Sequence, residues 1–338
     1  MHQTAQQIRS WLDEGRPVAV GRVVAIQGFS TWPGDELLAV DADGATAGSI
    51  LGAAGTDQLR GAAVEMLASG DAQRTVTVEI HGKAVIEAGL SCGGQATVRL
   101  QPAAAFPAAL WSALAARAPV ALVTEPDGGM SVVSAPAPGG GPAQDEAASS
   151  EPLRLGASVL ASGHSSTQSI DTPAGAVLVE AWISPPRVVV VGNGDLVPAL
   201  AAQAALLGWD TRAVENPEGL DAALDWAGTT AALVVLSHDP HVDVPALRIG
   251  LEREVPYVGA MGSRRTQSRR IDRLQESGVD PDLLERIHRP VGLDLGGRSA
   301  PEVALAICAE ILAERTGSDG RSLRDRTGPI HDQPRAQR

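Results

Sequence analysis

Cysteine is scarce in this chain of 338 residues, which contains only Cys92 and Cys308. The two thiols lie far apart in the sequence, and neither belongs to a CxxC pair. A disulfide framework is therefore excluded, and the sequence offers no cysteine-pair metal site.

Basic residues are also fewer than acidic residues. The chain has 27 lysine and arginine residues against 40 aspartate and glutamate residues, which gives a net charge of −13. Nucleic acid and anionic membrane surfaces are therefore disfavoured as partners. No apolar run reaches the length of a membrane span, and Met1–Gln6 does not begin a signal peptide. We expect a cytoplasmic protein.

The sequence does have a globular composition, 44% hydrophobic and 20% charged, and enough length for two domains. We expect an α/β protein with a small, mostly β (α+β) N-terminal domain over 1–103. A connecting helix and strand region should follow over 104–185, and a second α/β domain over 186–316. The Pro- and Gly-rich stretch 134–152 is predicted to be a mobile loop, and 317–338 a disordered tail.

Helical and alternating hydrophobic periodicities predict the elements of the first two regions. Helices are expected at 4–15, 56–68 and 107–117. Strands are expected at 18–26, 36–40, 74–80, 83–88, 96–100 and 120–124.

The most informative stretch is the run Val188–Val191. Two prolines and Arg187 precede it, and Gly192 follows it. Four consecutive valines are typical of a strand buried on both faces of a parallel sheet. A helical pattern follows as far as Gly208, and a second strand is predicted at 211–215. Further strands are expected at 231–236, 255–259 and 291–295, with helices between them and a closing helix at 301–315. This alternation indicates a Rossmann-like, doubly wound parallel sheet.

The glycine turn after the first of these strands suggests an anion site. Gly192 and Gly194 let the backbone approach a phosphate at a helix N-terminus, and Glu215 lies near the position of an acid that binds a ribose hydroxyl. The third glycine of the dinucleotide motif is replaced by Val197, and Asp195 places negative charge in the turn. A nucleotide site and a tight turn without a ligand both remain open.

Polar residues also follow the later strands, whose carboxyl ends border the same crevice. His238 and Asp239 are suited to contact a polar ligand, or else Asp243 caps the next helix and the histidines are solvated. Asp294, flanked by glycines, either accepts a hydrogen bond from a ligand or caps its own turn.

A second anion site is expected at Gly262, Ser263 and Arg264. Ser263 is placed to cap a helix that carries Arg264, Arg265, Arg269 and Arg270, and exposed amides with guanidinium groups suit a phosphate. The competing interpretation is that these arginines pair with nearby surface carboxylates.

Cys92 lies in a glycine turn with Gly93 and Gly94. Backbone amides there lower a thiol pKa and leave the sulfur open to a soft metal or a persulfide donor. The alternative is a small buried hydrophobic residue, which is the expected role of Cys308 within an apolar helical pattern.

In order and spacing, these motifs resemble the XdhC/CoxI family, the accessory proteins of xanthine dehydrogenase and related molybdenum hydroxylases. The resemblance rests on Gly28–Gly34, Gly44–Gly52, Ser91–Gly94, Val188–Gly194, Ser237–Leu247, Tyr257–Arg264, Pro290–Gly296 and Pro301–Ile311. It covers most of the chain.

The resemblance implies a molybdenum cofactor chaperone, not an enzyme. Such a protein binds the cofactor, as molybdopterin or its dinucleotide form. It assists sulfuration with a cysteine desulfurase and inserts the cofactor into an apo molybdenum hydroxylase. We expect this chain to hold the cofactor between its two domains. The implied cofactor-binding residues are Cys92, Gly93, Gly94, Gly192, Gly194, Glu215, His238, Asp239, Gly262, Ser263, Arg264 and Asp294, with Cys92 also contacting the metal.

Two motifs depart from the family pattern. Ala54 stands where the family usually has a cysteine, with Thr56 in place of an acid, and Asp195 stands where a histidine is usual. Both changes fall at expected ligand sites and point to a divergent paralogue with altered binding.

Two other functions stay open. An NAD(P)-dependent oxidoreductase is favoured by Glu215 and disfavoured by Val197 and Asp195. A scaffold for hydroxylase assembly would bind no small molecule at all. A homodimer is compatible with either, since nothing in the sequence fixes a symmetry.

Overall fold

A computed structural model describes residues 1–28, 36–51, 53–82, 85, 93–134, 150–325 and 327. The chain divides into two compact units, the first ending at Ile183 and the second beginning at Ser184. The mixed α/β class expected from the sequence is confirmed, with antiparallel sheets in the first unit and a parallel sheet in the second.

The first unit begins with a five-stranded antiparallel sheet. Its elements are α1 (His2–Asp13), β1 (Val18–Gln27), β2 (Leu37–Asp41), β3 (Thr46–Gly48), α2 (Ala53–Ser69), β4 (Arg74–Ile80) and β5 (Gly94–Pro102). The strand order is β3-β2-β1-β5-β4. Of the strand predicted at 83–88, the structure describes only Val85, which is helical and not in a strand. The other elements predicted in this part are present.

A second antiparallel sheet completes the first unit. Its elements are α3 (Ala108–Ala115), β6 (Val120–Thr124), β7 (Met130–Ser134), α4 (Glu151–Ala161), β8 (Ser166–Thr172) and β9 (Gly175–Trp182), with strand order β7-β6-β9-β8. Residues 104–134 and 150–183, which the sequence set apart as a connecting region, therefore cluster with the first unit. The reason is that α3 and β6 pack in one buried core with α1 and β1.

The predicted mobile loop 134–152 is bordered by ordered structure. Ser134 ends β7, and Glu151 begins α4. Residues 135–149 lie outside the described part of the chain, as do most residues of the predicted tail. Within that tail, Leu323–Asp325 form a short 3-10 helix.

A buried ion pair joins the two sheets of the first unit. Arg22 of β1, only 1% exposed, forms an ion pair with Glu180 of β9 and donates to Gln101 Oε1 of β5 at 2.5 Å. Burial, followed by the charge of Arg99, lowers the pKa of Arg22 to about 9, so the guanidinium stays protonated at neutral pH. Truncating either charged partner would leave the other buried and uncompensated.

The second unit is a five-stranded parallel sheet with helices on both faces. Its elements are β10 (Arg187–Val191), α5 (Leu196–Leu206), β11 (Asp210–Val214), α6 (Leu220–Ala227), β12 (Ala231–Val235), α7 (Pro240–Glu252), β13 (Tyr257–Ala260), α8 (Arg264–Glu276), α9 (Pro281–Leu284), β14 (Ile287–His288) and α10 (Ala300–Thr316). The strand order is β11-β10-β12-β13-β14.

The four valines of β10 are fully buried, as the sequence predicted. Val189 and Val191 pack in the core formed with α6, α7 and α8. Val188 and Val190 pack on the opposite face with α5 and α10. Burial on both faces explains why this strand shows no alternation of polar and apolar residues.

One strand was predicted in the wrong place. The last strand of the sheet is β14, at Ile287–His288, whereas the predicted strand 291–295 is a loop. The amide of Gly292 donates to Glu310 Oε2 at 2.8 Å, and the amide of Leu293 donates to Ala306 O at 3.2 Å. Because these amides bond to α10, they cannot extend a sheet ladder.

Candidate functional site

The crevice at the carboxyl edge of the parallel sheet is the candidate site. The chain leaves β10 toward β11 on one side, and the later strands continue from β12 on the other. In open α/β sheets, ligands bind where the strand order reverses in this way, outside the carboxyl ends of the strands. Here the reversal lies between β10 and β12.

Gly192 allows the loops after β10 and β12 to touch. It has a φ of +133°, and a Cβ atom at this position would lie 3.0 Å from the backbone nitrogen of Ser237. Only glycine meets both demands, since L residues rarely adopt this backbone conformation. Gly194 also has a positive φ, of +91°, but faces open space.

The loop after β12 carries His238 and Asp239, both exposed. Asp239 is the N-cap of α7, and its side chain accepts from the amide of His241 at 2.9 Å. The alternative that Asp243 caps this helix is therefore wrong. Asp243 is only 3% exposed and pairs with Arg270 instead.

The loop after β13 forms the expected helix N-terminus. Ser263 caps α8 by accepting from the amide of Thr266 at 3.3 Å, and its carbonyl accepts from the amide of Gln267. Within the described chain, the amides of Arg264 and Arg265 have no hydrogen-bond partner. Both side chains are exposed, so amide dipoles and guanidinium charge act together at this corner of the crevice.

An open cleft of about 480 Å³ adjoins this helix N-terminus. It is lined by Arg264, Gln267, Ser268, Ile271, Asp272, Arg289 and Pro290. Its lining therefore combines two arginines with one acid and has room for more than a phosphate group.

Arg270 is not available to a ligand, although the sequence grouped it with the other arginines of α8. It is 2% exposed, and its guanidinium donates to Asp243 Oδ2 from Nε at 2.9 Å and from Nη2 at 2.6 Å. It also donates to the carbonyl oxygens of Met261 at 3.0 Å and Ser237 at 3.2 Å, and to Gln267 Oε1 at 2.8 Å. These contacts use all five N–H groups.

Glu215 and Asp294 come from the loops that follow the two outermost strands of the sheet. Glu215 is exposed directly after β11, and the amide of Gly192 donates to the neighbouring Val214 carbonyl at 3.0 Å. Asp294 is exposed in the loop after β14. Four strand spacings, roughly 19 Å, separate β11 from β14. The loop that carries Asp294 first turns back toward β13, where the amide of Val291 donates to the carbonyl of Ala260 at 3.1 Å.

Cys92 lies outside the described residues, and its predicted contact with a metal remains a prediction. The adjacent Gly93 is described, and a Cβ atom there would lie 2.7 Å from the carbonyl oxygen of Ile80. Gly94 begins β5. The packing of this turn therefore requires glycine at position 93 whether or not a ligand binds there.

A cluster around Glu310 was missed by sequence reasoning. Glu310 of α10 accepts from the hydroxyl of Tyr257 at 2.5 Å and lies 3.6 Å from Nδ1 of His288. The rings of Tyr257 and His288 are stacked, with centroids 4.5 Å apart. No signal in the sequence marks this cluster, because its members come from two strands and a distant helix.

The charges of this cluster perturb one another. The Glu310 carboxylate raises the pKa of His288 above its ordinary value. Burial alone would raise the pKa of Glu310, but hydrogen bonds from His288, Tyr257 and Gly292 bring it below the usual range. Burial and Glu310 raise the pKa of Tyr257, so its hydroxyl stays protonated.

Two negative findings apply to the residues that the structure describes. No group of three or more His, Cys, Asp or Glu side chains among them is arranged to hold a metal ion. None of the helices in this part is both long and apolar enough to cross a membrane.

These features define a Rossmann-like domain with a candidate crevice at its topological switch point, preceded in the chain by an antiparallel α/β unit. The chain belongs to the XdhC and CoxI family. A model of the XdhC Rossmann domain matches residues 188–311, and a model of the XdhC and CoxI family matches residues 11–79.

Two curated proteins of Escherichia coli K12 are similar to parts of the chain. The molybdenum cofactor insertion chaperone PaoD is 32% identical over 130 residues, which cover 38% of this chain and 40% of PaoD. The uncharacterized protein YqeB is 29% identical over 153 residues, covering 40% of this chain and 28% of YqeB. The chain thus matches less than half the length of either relative.

A solved structure is similar over most of the chain. This Bacillus halodurans protein, described as a xanthine dehydrogenase, has 18% sequence identity and a TM-score of 0.49. The match covers 95% of this chain and 98% of that one.

Proposed function

We propose that the protein is an accessory factor that binds the molybdenum cofactor and assists its sulfuration and insertion into a molybdenum hydroxylase. The observation that carries this proposal is that the match to the XdhC Rossmann domain, at residues 188–311, coincides with the unit that builds the crevice. The similarity to PaoD, a molybdenum cofactor insertion chaperone, supports the choice of cargo.

The crevice fits an anionic, hydrogen-bonding guest. The free amides and the guanidinium group at Arg264 would hold the phosphate, with Ser263 capping the same helix. Gly192 and Gly194 would let the cargo approach the backbone beside β10. His238 and Asp239 would contact the polar edge of the pterin. Gly262, with a φ of +137°, forms the tight turn that presents Ser263.

Three further elements of the proposal concern sulfur and partners. Cys92, with Gly93 and Gly94, would approach the molybdenum or its sulfur ligand. A cysteine desulfurase would supply the sulfur, and an apo-hydroxylase related to xanthine dehydrogenase would receive the cofactor. In this role the protein carries a group and turns over no substrate, so it acts as a chaperone and not as an enzyme. Glu215 and Asp294 would supply further polar contacts to the cargo.

The proposal is tested by binding of molybdenum cofactor released from a donor enzyme to the purified full-length chain. Arg264→Ala should weaken binding about tenfold, because it removes a charge-assisted contact worth about 1.5 kcal/mol. Arg273→Ala, an exposed change in the last turn of the same helix, should leave affinity unchanged. Failure of the wild-type chain to bind the cofactor would reject the proposal.

A second function is favoured by one observation. Glu215 follows β11 directly, and β11 is the neighbour of β10 in the sheet, which is where a dinucleotide-binding acid is expected. Titration with NAD(H) and NADP(H) distinguishes the two functions. Saturable binding at micromolar concentration, abolished by Glu215→Ala, would favour an oxidoreductase over a chaperone.

A further inference from the structure

The buried guanidinium of Arg270 connects two neighbouring loops that border the crevice. Its Nη2 atom donates to the carbonyl of Ser237 in the loop after β12, and its Nη1 atom donates to the carbonyl of Met261 in the loop after β13. Ser237 directly precedes His238, and Met261 directly precedes Gly262. His238 and Gly262 are both proposed to contact the ligand. Arg270 therefore links these two loops directly.

We propose that Arg270 is the positioning residue of the crevice, holding the loops after β12 and β13 at the separation that the bound cargo requires. The identity of that cargo rests on the proposed function. In this role Arg270 sets the affinity for the cargo without touching it.

Saturation of the guanidinium supports a positioning role. All five N–H groups are engaged by four partners within the protein, and the residue is 2% exposed. A ligand contact would require breaking one of these bonds in a buried setting. Arg270 can therefore influence a ligand only through the loops that it holds.

The partners of Arg270 make the arrangement rigid. Asp243 of α7 compensates its charge, with both contacts made to Oδ2. Gln267 accepts from Arg270 and donates through Nε2 to the carbonyl of Ala260 at 2.8 Å, which ties the end of β13 to α8. Two helices and two loops thus share one hydrogen-bonded network. Shifts of about 1 Å in such supporting groups are enough to weaken a site.

Hydrogen–deuterium exchange of the ligand-free chain tests the positioning step directly. Arg270→Lys keeps the positive charge, but a point charge with three donors cannot reach both carbonyl oxygens and Gln267. Exchange should become about tenfold faster at 236–239 and 261–263, while the amides of Val188–Val191 should keep their wild-type protection. Arg273→Lys on the same helix is the matched control and should change neither region.

Binding of molybdenum cofactor released from a donor enzyme tests the consequence. At a temperature where circular dichroism shows Arg270→Lys to be folded, its affinity should fall about tenfold, and Arg273→Lys should bind as the wild type does. If Arg270→Lys does not fold, Gln267→Met serves instead. It removes the Ala260 tether and should loosen 261–263 with a smaller loss of affinity.

The outcomes separate this inference from the proposed function. Faster exchange spread evenly over the whole sheet, or loops that stay protected, would overturn the positioning role. Locally faster exchange with unchanged affinity would overturn it too, while leaving the chaperone function standing. Absence of binding by the wild type would reject the proposed function, and the exchange data would still decide whether Arg270 holds the loops.

Discussion

At the scale of single residues, the arginines of α8 show what a sequence leaves undecided. Arg264 and Arg270 lie in one helix and look equivalent in the sequence. In the structure Arg264 is exposed at the crevice, whereas Arg270 is buried against Asp243. The difference arises from the packing of α7 against α8, which local pattern does not encode. Asp243 Oδ1 is also buried without a hydrogen-bond partner in the described chain, which makes this carboxylate dependent on Arg270.

The Arg270–Asp243 pair should therefore be strongly coupled in stability. Arg270→Met leaves a buried carboxylate uncompensated and should lower the free energy of unfolding by about 3–5 kcal/mol. The double variant Arg270→Met, Asp243→Leu should recover much of that loss, because it removes the stranded charge. Urea denaturation of the two variants checks the prediction, and equal losses in both would contradict it.

His288 should make stability depend on pH. Its pKa is raised in the folded protein, so its contribution is fully present below the ordinary value of 6.5 and is lost as pH rises through the folded value. The pKa of Glu310 is lowered, so its contribution is present above the ordinary value of 4.5 and is lost on further acidification. The stabilising contributions of His288 and Glu310 are therefore both fully present between pH 4.5 and pH 6.5.

The measurement is the difference in free energy of unfolding between the wild type and His288→Gln as a function of pH. This difference should be largest between pH 4.5 and 6.5 and should shrink as the pH rises above that window. A difference that is constant, or that grows at alkaline pH, would show that His288 gains nothing from Glu310.

At the scale of elements, buried parallel strands were the easiest part to predict. The valine run of β10 and the glycine turn after it have a physical signature that needs no tertiary information. The strand β8 had none, since Ser166–Thr172 contains one aliphatic residue, Ile170, and is only partly buried. The two-residue strand β14 was misplaced because Val291 and Leu293 alternate as apolar strand residues do, although Val291 packs in the core with α10.

The contact between the loops after β10 and β12 should depend on glycine at position 192. Gly192→Ala forces a Cβ atom to within 3.0 Å of the Ser237 nitrogen at a positive φ, and should cost about 1–3 kcal/mol of stability. Gly194→Ala is the matched control, with a positive φ but open space, and should cost less. Thermal or urea unfolding compares them, and equal losses would mean that the loops do not touch as described.

At the scale of the whole molecule, the parallel-sheet unit and its crevice followed from the sequence, and the extent of the first unit did not. Long-range pairing of β6 with β9 adds a second antiparallel sheet to that unit. For the site, the glycine turns and the Ser263 cap were predicted from local rules. The network beneath them joins Ser237, Met261 and Arg270, and it emerges only when three separate segments are folded together.

The account depends on the chain carrying molybdenum cofactor. The most direct measurement is the molybdenum and pterin content of the full-length protein, freshly purified from cells that make the cofactor. We predict molybdenum and pterin in equal amounts, approaching one of each per chain in the wild type and reduced in Arg264→Ala, with Arg273→Ala unchanged. Wild-type protein free of both, purified from cells in which the cofactor is abundant, would contradict the central claim.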